Sequence, residues 1–434
     1  MICGGFFSFG VPGSRLLLVF ALFTMALSAQ ADPIVHLETD WAGFVGMTSQ
    51  GPVDQPIAVN SYNEFTQIFG SSTEGLANPY LVPSVAGYFA NGGVHLVVVR
   101  INAIDNATVI GMDGGTPESR TGLQALRNVD EISMIAIPGV ATAAVQTAMI
   151  AHCESLGDRM AILDPASADD FAAVQSQRAG LFTDGGFAAL YFPWIEAAPI
   201  ESTLLLPPSG FVAGSYSSHD PNDSPVGLIA TASDVAYELT TEEHNILNAQ
   251  NINAIRDLSG IRIWGARTLS ENQEWQYITT RRMALSIEES IEEGTAWCLD
   301  EPNDEILWEI LTEDMENFMF GLYVSGWFQG AMPSEAYFVR CDQSTMTEQD
   351  IAEGRTILFL GFAPLQPAEF VVMNIVHQRS DLSAVPAASS GILELALPAP
   401  NPFNPVTTFK FTLARDAKVD LLVIDRQVAW CALS

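Results

Sequence analysis

The side chains that could support nucleophilic catalysis are one serine in a proline-glycine context and one adjacent histidine-aspartate pair. Ser209 lies in the segment PPSGFVAG, and His219 stands next to Asp220. A nucleophilic serine needs a histidine base and is often presented on a sharp strand-to-helix turn. The segment around Ser209 lacks that pattern, and none of the six histidines, at positions 36, 95, 152, 219, 244 and 377, stands in a His-Gly or HExxH context. The sequence therefore predicts no catalytic residue and favours a solvated loop for His219 and Asp220.

The sequence also contains no motif typical of a phosphate-binding or metal-binding site. The glycine-rich segment Gly111–Arg120 has no Gly-Lys-Ser/Thr ending, so it is predicted to be a loop. The five cysteines, at positions 3, 153, 298, 341 and 431, include no CxxC pair and no Cys/His cluster with zinc spacing. Buried thiols are the expected state; export would permit a disulfide, whose pairing the sequence leaves open. We expect neither a cofactor nor a metal.

Composition indicates a folded, strongly acidic protein. The chain has 434 residues, 48% of them hydrophobic, which is enough for a substantial core and about two to four domains. It has 51 acidic and 18 basic residues, so its formal charge is −33. Because nucleic-acid phosphates are neutralised by Lys and Arg, this balance argues against a nucleic-acid partner and favours basic partners.

The stretch Ile261–Arg340 has the clearest secondary-structure pattern. A strand-like run, Ile261–Leu269, precedes a helix in which Met283, Ile287 and Ile291 recur at four-residue spacing. A second helix is predicted after the capping side chains of Asn303 and Asp304, with an apolar stripe at Leu307, Leu311, Met315, Phe318 and Leu322.

The preceding part of the chain alternates between strands and helices. Apolar strands are predicted at Val94–Ile101, Ser133–Ile137, Met160–Leu163 and Ala188–Phe192, with helical segments between them. This order favours an α/β layer built on a parallel sheet.

Several segments resemble the contractile tail sheath family of phage tails and phage-tail-like injection systems. The motifs are Trp264-Gly265-Ala266-Arg267-Thr268-Leu269, Arg281-Arg282, Ile287-Glu288-Glu289-Ser290-Ile291, Glu301-Pro302-Asn303, Ala336-Tyr337-Phe338-Val339-Arg340-Cys341-Asp342 and Pro367-Ala368-Glu369-Phe370. These motifs occur along the chain in the same order as in the family. The resemblance extends from Ala42 to Gln378 and is strongest after Leu247.

This resemblance implies a fold and a role. The expected fold is α/β: a tail-sheath fold with a subtilisin-like α/β domain at residues 103–258, preceded by an N-terminal sheath segment at 32–102 and followed by an α+β C-terminal sheath domain at 259–378. The implied function is structural. Subunits would polymerise helically with copies of themselves around an inner tail tube, meet baseplate components, and contract without a nucleotide. Residues 261–378 would face the tube, and residues 103–247 would lie outside.

Two other functions stay open at this stage. An exported surface protein could reuse the sheath fold without contracting. A secreted hydrolase could be built on the α/β region, although the serine and histidine pattern disfavours it.

Both ends of the chain have features of export. Residues 1–31 contain one charge, Arg15, an apolar run and the small-x-small sequence Ala29-Gln30-Ala31, which predicts a cleaved signal peptide. Residues 379–393 form a polar linker, and residues 394–434 resemble the truncated start of a type IX secretion sorting domain. Sheath assembly in the family is cytoplasmic, whereas these ends suggest secretion. The family's extended N-terminal arm is reduced here to the short run Ile34–Leu37.

Two groups of residues are candidate contacts with the tube or a neighbouring subunit. The first is the glutamate cluster Glu288, Glu289, Glu292 and Glu293, in which like charges repeat at i,i+4 spacing; we expect either a solvated face or the partner of a basic patch. The second is the strand predicted at Pro367–Gln378, including Phe370, Val371 and Val372, which is expected at a sheet edge where it could pair with another subunit.

Overall fold

The computed structural model describes residues 33–37, 39–197, 204–365 and 371–378, together with the strands at 394–399, 408–412, 421–423 and 431–433. The predicted signal peptide, the linker at 379–393 and Phe370 lie outside the described residues. The chain divides into two compact units, Met1–Gln378 and Arg379–Ser434.

The strands and helices of the first unit follow one another in mixed order. The strands are β1 (Trp41–Met47), β2 (Ile57–Val59), β3 (His95–Ile101), β4 (Ile132–Ala136), β5 (Met160–Leu163), β6 (Ala188–Phe192), β7 (Ile195–Ala197), β8 (Leu204–Leu206), β9 (Ala232–Val235), β10 (Ile252–Asp257), β11 (Ile261–Trp264), β12 (Tyr337–Arg340), β13 (Arg355–Phe362) and β14 (Val371–Gln378). The α-helices are α1 (Tyr62–Phe69), α2 (Leu81–Ala90), α3 (Asn106–Ile110), α4 (Ala143–Leu156), α5 (Phe171–Ala179), α6 (Ser209–Ser217), α7 (Thr241–Ala249), α8 (Ile278–Thr295), α9 (Glu305–Val324), α10 (Pro333–Ala336) and α11 (Glu348–Ala352). Short 3₁₀ helices span Pro117–Ser119, Gly122–Asn128 and Ala296–Asp300.

An eight-stranded sheet in the order β11-β10-β6-β5-β4-β1-β3-β2 forms the centre of this unit. The six inner strands run parallel, and the outer strands β2 and β11 pair antiparallel. Side chains alternate across the sheet: Ala189 and Tyr191 of β6 enter one buried cluster, while Leu190 and Phe192 enter another. Burial on both faces explains why these strands are almost wholly apolar. The predicted α/β layer with a parallel sheet is confirmed.

The sheet extends across the domain limits predicted at 102/103 and 258/259. Strands β1 to β3 come from the segment predicted as N-terminal, and β11 comes from the segment predicted as C-terminal. The sheet crosses the limit at 258/259 because β10 and β11 form a tight hairpin through Ser259 (φ 60°) and Gly260 (φ 114°). The two strands pair from Ala254–Trp264 to Asp257–Ile261.

A third buried cluster is built from α8, α9 and the antiparallel sheet β12-β13-β14. The predicted second helix is confirmed as α9, whose cap is Asp304, accepting from the backbone N–H groups of Ile306 and Leu307. Every member of the predicted stripe is buried: Leu307, Leu311, Met315, Phe318 and Leu322.

Helix α8 joins this third cluster to the central sheet. Its first ten residues, 278–287, are all buried, so its N-terminal half is enclosed on every side. Ile278 and Leu285 pack in a cluster of the central sheet, while Met283, Ile287 and Ile291 pack with α9 and the small sheet. The predicted four-residue spacing is confirmed as the face toward the third cluster.

The segment 33–37, which contains the run Ile34–Leu37 predicted as a reduced arm, lies along α8 of its own chain. Ile34 is buried in the third cluster, Leu37 donates its backbone N–H to Ser290 Oγ (2.9 Å), and His36 Nε2 lies 2.7 Å from Ser286 Oγ. The small side chains at 286, 290 and 294 make room for this segment, because a Cβ added at Gly294 would lie 2.9 Å from Ile34 Cγ2.

In the second unit, β15 (Glu394–Ala399) pairs with β16 (Thr408–Thr412), and β17 (Leu421–Val423) pairs with β18 (Cys431–Leu433), both antiparallel. A search of the described part of the chain for a helix with the length and apolarity of a membrane span finds none.

We predict opposite outcomes for two helical glycines. Gly321 of α9 is exposed, and a Cβ added there would meet nothing within 4 Å. Gly321→Ala should therefore stabilise the protein by up to about 1 kcal/mol through helix propensity. Gly294→Ala should lose this gain, and Gly294→Leu should destabilise the protein, because the new side chain displaces Ile34. Thermal melts of the three variants check this. A gain at Gly294→Ala equal to that at Gly321→Ala would show that residues 33–37 do not pack on α8.

Candidate functional site

The four glutamates of α8 differ in exposure. Glu292 and Glu293 are exposed, whereas Glu288 and Glu289 are half-buried. Helical geometry explains this difference: 288 and 289 lie beside the buried turn at Ile287, and the helix surface opens to solvent one turn later. Two of the four carboxylates are therefore solvated, and two are partly enclosed.

Glu289 lies in an acidic environment that spans two parts of the fold. Burial raises the pKa of Glu289 to about 7, and the negative charges of Asp158, Glu292, Asp130 and Glu293 add to the shift. Asp158 comes from the turn before β5, and Asp130 from the turn before β4. We call the five carboxylates of Asp130, Asp158, Glu289, Glu292 and Glu293 the acidic face.

Arg281 and Arg282 are the cations nearest in sequence to these glutamates, and their guanidinium groups have different surroundings in the structure. Burial raises the pKa of Glu288 to about 7, an effect that Arg281 opposes and Glu292 reinforces. Arg282 points elsewhere: its guanidinium donates to the backbone carbonyls of Tyr216 and His219, each at 2.8 Å, at the end of α6. Arg282 thus donates to carbonyls at a helix C-terminus instead of neutralising the cluster.

The second candidate contact is a strand at a sheet edge. The predicted strand is present from Val371 to Gln378, antiparallel to β13, with Val371 opposite Phe362 and Val372 opposite Gly361. Within the described residues no strand lies on the other side of β14, so its outer backbone groups are open to pairing. Residues 366–370, including Phe370, are not described.

A groove between α9 and the other edge strand, β12, was missed by the sequence reasoning. It has a volume of about 750 Å³. Its acidic lining residues are Glu305, Glu309, Glu313, Glu316 and Asp342. The available signal was the repeat of glutamates at three- and four-residue spacing along the α9 sequence, opposite its apolar stripe.

The structure separates the side chains considered for catalysis. Ser209 begins α6, is fully buried, and donates its hydroxyl to Asp164 Oδ2 (2.8 Å). His219 follows the other end of α6, where its Nδ1 lies 2.7 Å from the Ser215 carbonyl oxygen. At 1.5 Å per residue the two side chains are about 15 Å apart along the helix, so they form no nucleophile-base pair.

Thiol and metal chemistry has no assembled site in the described part of the chain. Cys153, Cys298 and Cys341 are buried and free. No group of three or more His, Cys, Asp or Glu side chains among the described residues has the arrangement of a metal site.

The chain is similar to sheath proteins of contractile particles. Over 273 residues it is 29% identical to a prophage major tail sheath protein of Pseudomonas aeruginosa (strain UCBPP-PA14), a match that covers 58% of this chain and 67% of the relative. A search with protein-family models gives no match.

Two solved sheath structures are similar to this chain along almost their whole length. The helical sheath of the anti-feeding prophage in its contracted state matches with a TM-score of 0.65 and 25% identity, covering 84% of this chain and 99% of that one. The sheath of the extracellular contractile injection system PVC, also contracted, matches with a TM-score of 0.66 at 23% identity, covering 86% and 99%; it supports the fold alone. Together with the architecture described above, these similarities support a contractile tail sheath subunit.

Proposed function

We propose that this chain polymerises helically around an inner tube and contracts to drive that tube through a target envelope. The observation that supports this most strongly is the match to the contracted anti-feeding prophage sheath along 99% of that chain. A related match is to a chain of the anti-feeding prophage baseplate, at 25% identity and a TM-score of 0.64, which favours baseplate components as further partners. The energy of contraction would come from exchanging one set of subunit interfaces for another.

We place residues 261–378 toward the tube and residues 103–247 toward the outside. In this arrangement α8, α9 and β12 to β14 would lie nearest the tube. We further propose that the central sheet and its helices correspond to the subtilisin-like α/β layer that the family resemblance implies. Ser209, buried against Asp164, would then have a structural role.

The acidic face is proposed to meet a basic surface. Residues 379–434 hold five acidic and five basic residues, including both lysines of the chain, which leaves 46 of the 51 acidic and 13 of the 18 basic residues before Arg379. A neighbouring copy therefore offers few cations, and the tube protein is the favoured partner of this face.

An exported surface protein that reuses the fold is the second candidate. The leader-like residues 1–31 and the sorting-like segment 394–434 favour it. The two candidates differ in an observable way, since only the first requires a polymer with two lattice states.

Edge pairing gives one prediction. Val372→Pro removes the backbone N–H of residue 372 from β14 and should block polymer formation, while the monomer stays folded because an edge strand tolerates proline. Val372→Thr keeps the N–H and the β propensity and is the matched control, expected to polymerise normally. Sedimentation and electron microscopy measure the polymers, and circular dichroism measures the fold. Polymers of the proline variant like those of the unmodified chain would exclude pairing through β14.

Charge reversal on the acidic face gives a second prediction. Glu289→Lys combined with Glu293→Lys should weaken assembly with the tube, and raising salt should weaken assembly of the unmodified chain. Glu74→Lys combined with Glu118→Lys changes the net charge equally at exposed positions away from α8 and should leave assembly nearly unchanged. If both pairs act alike at low ionic strength, net charge alone governs assembly and the acidic face is a solvated surface.

The raised pKa of Glu289 gives a third prediction. In the free subunit this carboxyl has a pKa of about 7, and a basic partner would lower it, so assembly would release a proton. Assembly should then strengthen as pH rises toward 7, because deprotonated Glu289 binds the partner better. Glu289→Gln removes this component, and the difference between the two pH profiles isolates it. Parallel profiles for the two proteins would contradict contact at Glu289.

A further inference from the structure

Four arginines are buried in the described part of the chain, and three of them have their charge satisfied. Arg159 donates to the carbonyls of Leu126 and Val129, at 2.9 and 3.0 Å. Arg178 donates to three backbone carbonyls at 2.7 to 2.9 Å, and Arg282 donates to the carbonyls at the end of α6. Arg281 differs from these three, because its Nε is enclosed and has no hydrogen-bond acceptor.

Aromatic rings hold the Arg281 guanidinium in place. Its Cζ lies 3.5 Å from the ring centre of Trp275 and 4.3 Å from that of Phe187. Both rings are half-buried, while the arginine is 4% exposed. Such stacking orients a guanidinium and supplies cation-π attraction, but it leaves the N–H donors unused.

Of the three guanidinium nitrogens only Nε is enclosed without an acceptor; Nη1 and Nη2 make no hydrogen bond to a described residue and keep contact with solvent. A Cβ added at Gly185 would lie 2.7 Å from Cε2 of Phe187 and 3.5 Å from Nη2 of Arg281, so the absent side chain leaves room for the Phe187 ring beside the guanidinium. Gly185 is itself half-buried and lies in the loop before β6.

Arg281 stays cationic in this setting. Burial lowers its pKa to about 10, and the charge of Glu288 opposes the shift. No carboxylate oxygen of the described residues lies within 4.0 Å of its guanidinium, whereas Arg120, Arg159 and Arg355 each have such an ion pair. A buried, charged guanidinium whose N–H groups lack acceptors destabilises the monomer. A carboxylate that accepts from those N–H groups removes this cost and makes the interaction favourable.

We propose that Arg281 is a subunit anchor: its guanidinium, held between Trp275 and Phe187 with its terminal nitrogens in contact with solvent, binds a carboxylate of a second copy of this chain. The inference rests on the proposed function, since it needs a homopolymer. Charge complementarity selects the partner, because a second copy has 46 acidic residues before Arg379 and only 13 basic ones. In a polymer of such acidic subunits, an oriented cation with free donors offsets repulsion at the point of contact.

The test compares substitutions at the two adjacent arginines in the full-length protein. Arg281→Met keeps an apolar stem between the rings and removes the unsatisfied charge. Its monomer should melt at the same temperature or higher, and the critical concentration for polymerisation should rise about tenfold or more. Arg281→Lys keeps the charge without the planar fork and should recover part of the assembly. Arg282→Met is the matched control: it removes the guanidinium donors from the carbonyls of Tyr216 and His219, so its monomer should melt at a lower temperature.

Each outcome separates the anchor from the proposed function. Polymerisation of Arg281→Met at the concentration of the unmodified chain would overturn the anchor and leave the sheath function standing. A loss of monomer stability in Arg281→Met as large as in Arg282→Met would overturn it too, since Arg281 would then stabilise the monomer itself. If the unmodified chain formed no polymer under any condition, the failure would lie with the proposed function.

Discussion

The packing of α8 against two separate cores is the constraint on which the rest of the first unit depends. One face of the helix completes a cluster of the central sheet through Ile278 and Leu285, and the other completes the cluster of α9 and β12 to β14. Arg282 strengthens this connection by donating to the end of α6. Because protein interiors are close-packed, a displacement of either layer is transmitted to the other through α8. A subunit that moves between two lattices as one body needs this rigidity.

The sequence was informative where structure depends on near neighbours. The spacing of Met283, Ile287 and Ile291 predicted both the existence of α8 and its buried face, and the apolar runs predicted the inner strands of the sheet. Domain limits are harder to place from the sequence, because β11 pairs with β10 through a hairpin that joins segments on either side of residue 258.

Burial of charged groups depends on partners distant in the sequence and could not be predicted. Asp130 and Asp158 raise the pKa of Glu289 only because the fold brings the turns before β4 and β5 to the side of α8 that carries this carboxyl. Arg281 and Arg282 are adjacent and of the same residue type, so their sequence context does not distinguish them. Helical geometry nevertheless points Arg281 toward aromatic rings and Arg282 toward the end of α6. The edge position of β14 was expected from its Val-rich run together with the family's use of terminal strands, whereas the groove beside β12 depends on the tertiary arrangement of α9.

Helical reconstruction by electron microscopy, applied to the full-length chain assembled with its tube protein, tests the central claim most directly. A sheath subunit should give a hollow helical polymer with residues 261–378 lining the lumen and residues 103–247 on the outer surface. A chain that stays monomeric beside the tube, or a polymer with the central sheet against the lumen, would contradict the account.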